Sequence, residues 1–136
     1  MPQQNILVFT AQAALEGERL TQVLKARIQP DSLEFFTTVK ALYKRLRQPL
    51  SRPAAAILLP ADEKDLDNLI SIHDFLLHLP IILILPGQSH DLVTKGHSLR
   101  PRFLTFADSD FSDVAAVLTK MLTNVDSKEN DPEVKS

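Results

Sequence analysis

Leu79-Pro-Ile-Ile-Leu-Ile-Leu-Pro-Gly87 is the stretch on which the reading of this chain turns. Ile81 to Leu85 is an unbroken apolar run, rich in β-branched residues and closed by proline on both sides. It is too short for a core helix and far too short to span a bilayer, so it predicts a strand. A strand with one wet face alternates apolar and polar residues. This one does not, so it predicts a strand covered on both faces, as in a parallel sheet.

Working outward, the same kind of run recurs between segments of helical period. Upstream, Asp62 to Leu79 places Leu66, Leu69, Ile70, Ile72, Phe75, Leu76 and Leu79 at helical spacing and crowds acids into its first turns, where they complement the helix dipole. Before it, Ala54-Ala-Ala-Ile-Leu-Leu59 reads as a buried strand closed by Pro60. Lys40 to Leu50 carries Leu42, Tyr43 and Leu46 on one side of a helix, and Ser32 to Val39 is β-rich. Leu15 to Ile28 shows the apolar face Leu15, Leu20, Val23, Leu24 and Ile28, and Asn5 to Thr10 reads as the first strand. Downstream come a short helix over His90–Lys95, a strand over Arg102–Phe106 and an amphipathic helix over Phe111–Leu122, with Ser109 or Asp110 as its N-cap.

Five strands alternating with five helices imply a three-layer α/β domain over residues 1–123: a five-stranded parallel sheet with helices on both faces and right-handed crossovers. Residues 124–136 are polar, contain Pro132 and read as a disordered tail or linker. In such sheets ligands bind beyond the carboxyl ends of the strands. Those ends are Thr10-Ala11-Gln12, Val39, Pro60-Ala61-Asp62, Pro86-Gly87 and Ala107-Asp108.

The 136 residues fit one domain with its own core. With no cysteine, disulfides, thiolate zinc sites and a cysteine nucleophile are excluded, in keeping with a cytoplasmic location. Met1 to Asn5 lacks a basic n-region and an apolar h-region, which argues against a signal peptide. The net charge of −2 is unevenly spread: residues 1–59 carry eight Lys+Arg against four Asp+Glu, and residues 60–136 carry seven against thirteen. This is a bipolar surface, and it argues against a nucleic-acid binder.

Ile57-Leu-Leu-Pro60 followed by Leu66-Asp-Asn-Leu69, the run Leu79-Pro-Ile-Ile-Leu-Ile84, and the order and length of all ten elements resemble a response-regulator receiver domain over about residues 5–122. The resemblance implies a flavodoxin-like, receiver-like fold. The family's chemistry is aspartyl phosphorylation: an acid pair after the first strand holds a divalent metal, an aspartate ending the third strand accepts the phosphoryl group, and a Ser/Thr and a Lys after the fourth and fifth strands contact it. Position by position, that chemistry does not carry over. The acid pair falls on Thr10 and Ala11, the acceptor on Pro60, the hydroxyl on Leu85 or Pro86, and the Lys on Phe106 or Ala107. Asp62 lies two residues past the acceptor position, without an acid pair, Lys or hydroxyl in support.

The remaining constellations have ordinary readings. His73 and His78 are five apart and do not share a helix face as paired metal ligands would. Gly17, Gly87 and Gly96 form no phosphate-cradling loop, which argues against a dinucleotide site and less strongly against flavin. Lys40, Lys44, Arg45, Arg47 and Arg52 read as a solvated helix face, or more sharply as a contact for an acidic partner or a nucleic-acid backbone, the latter weakened by the few aromatics among them. Asp62, Glu63, Asp65 and Asp67 read as N-terminal helix charge, with cation binding as the sharper alternative.

The expectation is therefore a non-enzymatic, cofactor-free signalling module, a pseudo-receiver working by protein–protein contact without a membrane. The resemblance places its contact, with a second copy as one option, on the fourth-helix, fifth-strand and last-helix face: Leu92, Val93, Phe103, Thr105 and Ala115. The alternative is a small flavodoxin-like enzyme or ligand-binding subunit using the strand-end crevice. A crevice closed by Pro60, Pro86 and Phe106 favours the module; convergent polar groups favour the alternative. A third expectation is a domain of a longer regulator.

Overall fold

A computed structural model describes residues 5–11, 15–48 and 53–130. Five parallel strands, β1 (Ile6–Thr10), β2 (Leu33–Phe36), β3 (Ala55–Leu59), β4 (Ile81–Leu85) and β5 (Phe103–Phe106), form one sheet in the order β2-β1-β3-β4-β5. This is the flavodoxin-like strand order, and the chain reverses its direction of winding between β1 and β3. Helices α1 (Leu15–Arg27) and α5 (Ser112–Asn130) cover one face; α2 (Val39–Leu46), α3 (Glu63–Ser71) and α4 (His90–His97) cover the other.

Successive residues of β3 and β4, and of β1 up to Phe9, feed opposite cores, which is why these runs are apolar throughout. Ile6, Val8, Ile57, Ile82 and Ile84 meet Leu20, Leu24, Val114 and Leu118 on the α1–α5 side. Leu7, Phe9, Leu58, Leu83 and Leu85 meet Leu42, Leu66, Leu69 and Leu99 on the other. Gly96 of α4 lies so close to the sheet that a Cβ there would stand 3.0 Å from Leu83 Cδ2.

Three boundaries depart from the sequence reading. The long helix expected over 62–79 stops at Ser71, and a single 3-10 turn, His73–Phe75, follows. Continued α-helix would carry His73 onto the stripe of Leu66 and Leu69; in the tighter turn His73 is exposed, with its Nδ1 2.9 Å from Ile70 O, while Leu76 is still buried. Helix α2 begins at Val39 because the Thr38 hydroxyl caps it, accepting from Ala41 N at 3.1 Å; the expected strand to Val39 is thereby shortened to Phe36. Its expected last residues, Pro49 and Leu50, lie outside the described residues. Helix α5 continues past Leu122 to Asn130, so residues 124–130 are helical rather than a disordered tail; 131–136 lie outside the described residues. No proline or glycine interrupts 124–130, and Pro132 disfavours helix at the residue before it.

Candidate functional site at the strand carboxyl ends

The sheet brings most of the resemblance's site positions to one end. Thr10 ends β1 in register with Leu59, and Ala11 N donates to Leu59 O at 3.2 Å. Pro60 follows β3 and is buried. Ala107 N donates to Leu85 O at 2.8 Å, tying the end of β5 to the end of β4. Leu59, Pro60, Ala61, Pro86 and Ala107 line a cleft of about 140 Å³, with Glu16 of α1 as its one charged group. Leu85 and Phe106 turn away into the core under α3 and α4. Thr10 packs toward α1, where a Cβ at Gly17 would stand 3.3 Å from Thr10 Cβ. Gln12 lies outside the described residues.

The described residues lining this cleft do not make up the oxygen ligand set of a divalent cation. Hard cations take several oxygen ligands, and the cleft offers a single carboxylate beside two prolines. Among the described residues no group of three His, Cys, Asp or Glu side chains could hold a metal ion. The acids at the start of α3 are each engaged. Asp62 is the N-cap of α3, accepting from Asp65 N at 2.9 Å, and Asp65 accepts from Ala61 N at 3.0 Å. Lys95 of α4 reaches Glu63 at 2.6 Å and Asp67 at 2.9 Å, and those hydrogen bonds, Glu63 first, raise its pKa above the ordinary 10.5. Asp62 thus serves a helix end, as Ser, Thr, Asp and Asn commonly do.

Across the end of β1 lies a wider groove of about 440 Å³, between the start of α2 and α3. Thr37, Lys40, Asp65 and Asn68 bring polar groups to it.

The contact face expected on α4, β5 and α5 is only partly exposed. Leu92, Val93 and Phe103 are half-buried. Thr105 is 9% exposed and Ala115 fully buried, which corrects their assignment to an outer surface. The inward stripe of α5 is Phe111, Val114, Ala115, Leu118 and Met121; Ser112, Ala116 and Thr119 face out. Thr105 shares its side of β5 with Phe103, facing the α1–α5 core.

Two features escaped the sequence reading. Arg19 of α1 donates to Ala107 O at 2.8 Å and to Ser109 O at 2.9 Å, clamping the loop between β5 and α5. In that loop Phe111 holds φ = 65°, a left-handed conformation rare for a bulky residue. Backbone carbonyls carry no sequence signature, so nothing in the chain pointed to Arg19.

No protein-family model and no curated protein matches the chain. Solved structures do. A response regulator receiver domain protein (CheY-like) from Methanospirillum hungatei JF-1 is similar at TM-score 0.67 and 14% identity, covering 96% of this chain and 99% of that one. The signal receiver domain of NarL from Mycobacterium tuberculosis is similar at TM-score 0.61 and 17% identity, covering 88% and 98%. The phosphorylated cyanobacterial phytochrome response regulator RcpA is similar at TM-score 0.62 and 13% identity, covering 98% and 97%. The fold is that of CheY-like receiver domains. Among the described residues no helix is long and apolar enough to cross a membrane.

Proposed function

We propose that this chain is a degenerate receiver, a signalling module that acts by protein–protein contact in the cytoplasm and neither accepts nor transfers a phosphoryl group. The receiver fold supports the signalling part of this reading. The observation that carries the second part is Pro60 at the end of β3, where the family's acceptor would stand, lining a small cleft together with Pro86 and Ala107. Phosphoryl transfer needs a nucleophile and cations to offset the charge on the equatorial oxygens; Pro60 and Ala107 supply neither. Fold alone assigns no activity, so the site decides.

The test is incubation with acetyl phosphate, and separately with beryllofluoride, in Mg²⁺. The expected result is no added phosphoryl mass and no amide shifts around residues 57–62, 85–87 and 106–108. A hydroxylamine-sensitive phosphoryl adduct on Asp62 would overturn the proposal. A protein contact through α4, β5 and α5, with a second copy as one candidate, would use Leu92, Val93, Phe103 and the outer residues of α5.

One observation favours the alternative reading as a ligand-binding subunit: the 440 Å³ groove, whose size and convergent Thr37, Lys40, Asp65 and Asn68 suit a small polar ligand. Thermal shift against a metabolite panel, repeated with Asn68→Ala, separates the two readings.

A further inference from the structure

The large apolar side chains exposed on this molecule are not scattered. Of Phe35, Phe75 and Leu77, the last two sit in or just after the 3-10 turn that ends the α3 segment, 45% and 50% exposed. Phe75 meets Tyr43 of α2 edge-on, with ring centroids 5.1 Å apart. The Arg47 guanidinium also lies over the Tyr43 ring, 5.4 Å from its centre. The row Arg47–Tyr43–Phe75 therefore crosses from α2 to the turn as one continuous surface.

The charge on the α2 side of this row is positive; on the turn, Asp74 beside Phe75 is exposed and lies 3.2 Å from His73 Nε2. Lys40, Lys44 and Arg47 fall at i, i+4 and i+7 of α2 and are all exposed. At that spacing they share a helix face. None of the three has an acid within ion-pairing distance among the described residues, whereas Arg45 turns the other way to Glu34 at 2.8 Å. A stripe of unneutralised cations beside the exposed Phe75 and the half-buried Tyr43 matches the composition of protein-contact hot spots, in which Tyr and Arg are enriched. The apolar part wants an apolar anchor, and the cationic part wants carboxylates.

We infer that the face formed by α2 and the 3-10 turn, centred on Arg47, Tyr43 and Phe75, docks an acidic protein segment that carries an apolar or aromatic anchor. Charge complementarity selects the occupant: the anchor packs on Phe75 and Leu77, and carboxylates two or more residues away reach Lys40, Lys44 and Arg47. A nucleic-acid backbone fits less well. It would use the three cations but leave Phe75 and Leu77 exposed, and the chain as a whole is net negative. The assignment rests on the reading of the chain as a contact module, but it does not depend on phosphoryl inertness. A phosphorylated adduct would sink that inertness while leaving this face intact.

The experiment selects a random dodecapeptide display library on the immobilised full-length chain and measures the enriched peptides by fluorescence anisotropy. Enriched sequences should combine at least two Asp or Glu with a Phe, Trp, Tyr or Leu. Their affinity should fall about tenfold or more in Phe75→Ala and in Arg47→Glu, as for loss of one hot-spot side chain. It should also weaken with added salt. Phe35→Ala, on the β2 edge beside Lys25, is the folded control and should bind like the parent chain. The inference is overturned by any of three results: enriched peptides without acids, unchanged binding in both Phe75→Ala and Arg47→Glu, or a single-stranded oligonucleotide that binds more tightly than the peptides. Salt-sensitive self-association that disappears in Arg47→Glu would assign the face to a second copy and overturn it equally.

Discussion

The Arg19 guanidinium stands 4.7 Å from the centre of the Phe111 ring while donating to the carbonyls of Ala107 and Ser109. One side chain of α1 thus ties α1 to the connection into α5 at three points. Phe111 is fully buried in a left-handed backbone conformation. Such a conformation costs about 1–2 kcal/mol, whereas burying a phenylalanine contributes about 1.5–3 kcal/mol, so burial outweighs strain only while the loop is held. Arg19→Ala should lower stability by about 1–2 kcal/mol and speed amide exchange at 107–111. Arg19→Lys should restore little, since an ammonium lacks the planar fork that reaches two carbonyls and lies on a ring. Full rescue by lysine would show that charge alone matters.

Gly96 and Leu83 should be coupled. In an ordinary helix, Gly→Ala stabilises by about 1 kcal/mol. Here the new methyl would stand 3.0 Å from Leu83 Cδ2 and 3.3 Å from both Leu85 methyls, all in a fully buried layer. Gly96→Ala is therefore expected to destabilise. Leu83→Ala alone should cost about 2–5 kcal/mol. In the double variant the alanine methyl at 96 occupies space that Leu83 vacates, so the combined loss should be smaller than the sum. Denaturant melts of the four chains give the coupling directly; strict additivity would mean that the helix simply shifts away.

Neighbouring alanines on α5 should behave oppositely. Ala115 is completely buried and Ala116 exposed. Ala115→Glu places an unpaired carboxylate in the core and should cost about 3 kcal/mol or more. Ala116→Glu should leave the melting temperature nearly unchanged. It is therefore the substitution with which to probe a contact on the α5 face, by sedimentation of the folded variant.

Asp110 should titrate low. Its carboxylate accepts from Ser112 N at 3.0 Å and from the Ser112 hydroxyl at 2.8 Å, and these bonds, the backbone one foremost, hold its pKa below the ordinary 3.8, with a smaller contribution from Arg19. Because the folded-state value is depressed, the stabilisation is present above the unfolded value and is lost as pH falls through the folded one. Carboxyl NMR titration should find its midpoint below 3.8. In Ser112→Ala it should rise but stay below the ordinary value, since the backbone donor remains. An unchanged midpoint would show that the hydroxyl bond does not form.

The apolar runs of β1, β3 and β4 are legible because strands covered on both faces leave no other way to read them. Helix ends were harder. The spacing from Leu66 to Leu79 continues a helical pattern that the chain abandons at Ser71, and apolar spacing alone does not distinguish a further α-helical turn from a 3-10 turn that also leaves Leu76 buried. Helix α5 offers apolar residues at 111, 114, 115, 117, 118 and 121, enough for two adjoining stripes. Which one faces the sheet is decided by how the helix rolls against β1, β3 and β4, and Ala115 was placed outside for that reason. At the strand ends, Pro60, Pro86 and Ala107 converge where the resemblance placed them, whereas the aromatic row on α2 depends on the 3-10 turn and had no linear signature.

The strand order has a consequence for how the chain assembles. β1 lies between β2 and β3, and Ile6 pairs with both Leu33 and Ala55. Its second ladder cannot form until everything through α2 has been traversed, and that loop closure is an entropic debt incurred before much of the core exists. Contacts so distant in sequence slow the search for the native state relative to a helical bundle of the same size. A fragment ending after α2 would leave β1 with one flank unpaired and Leu7 and Phe9 lacking the packing that β3 and α3 supply. Release of the chain from a ribosome past β3 is thus the earliest point at which its central ladder can close.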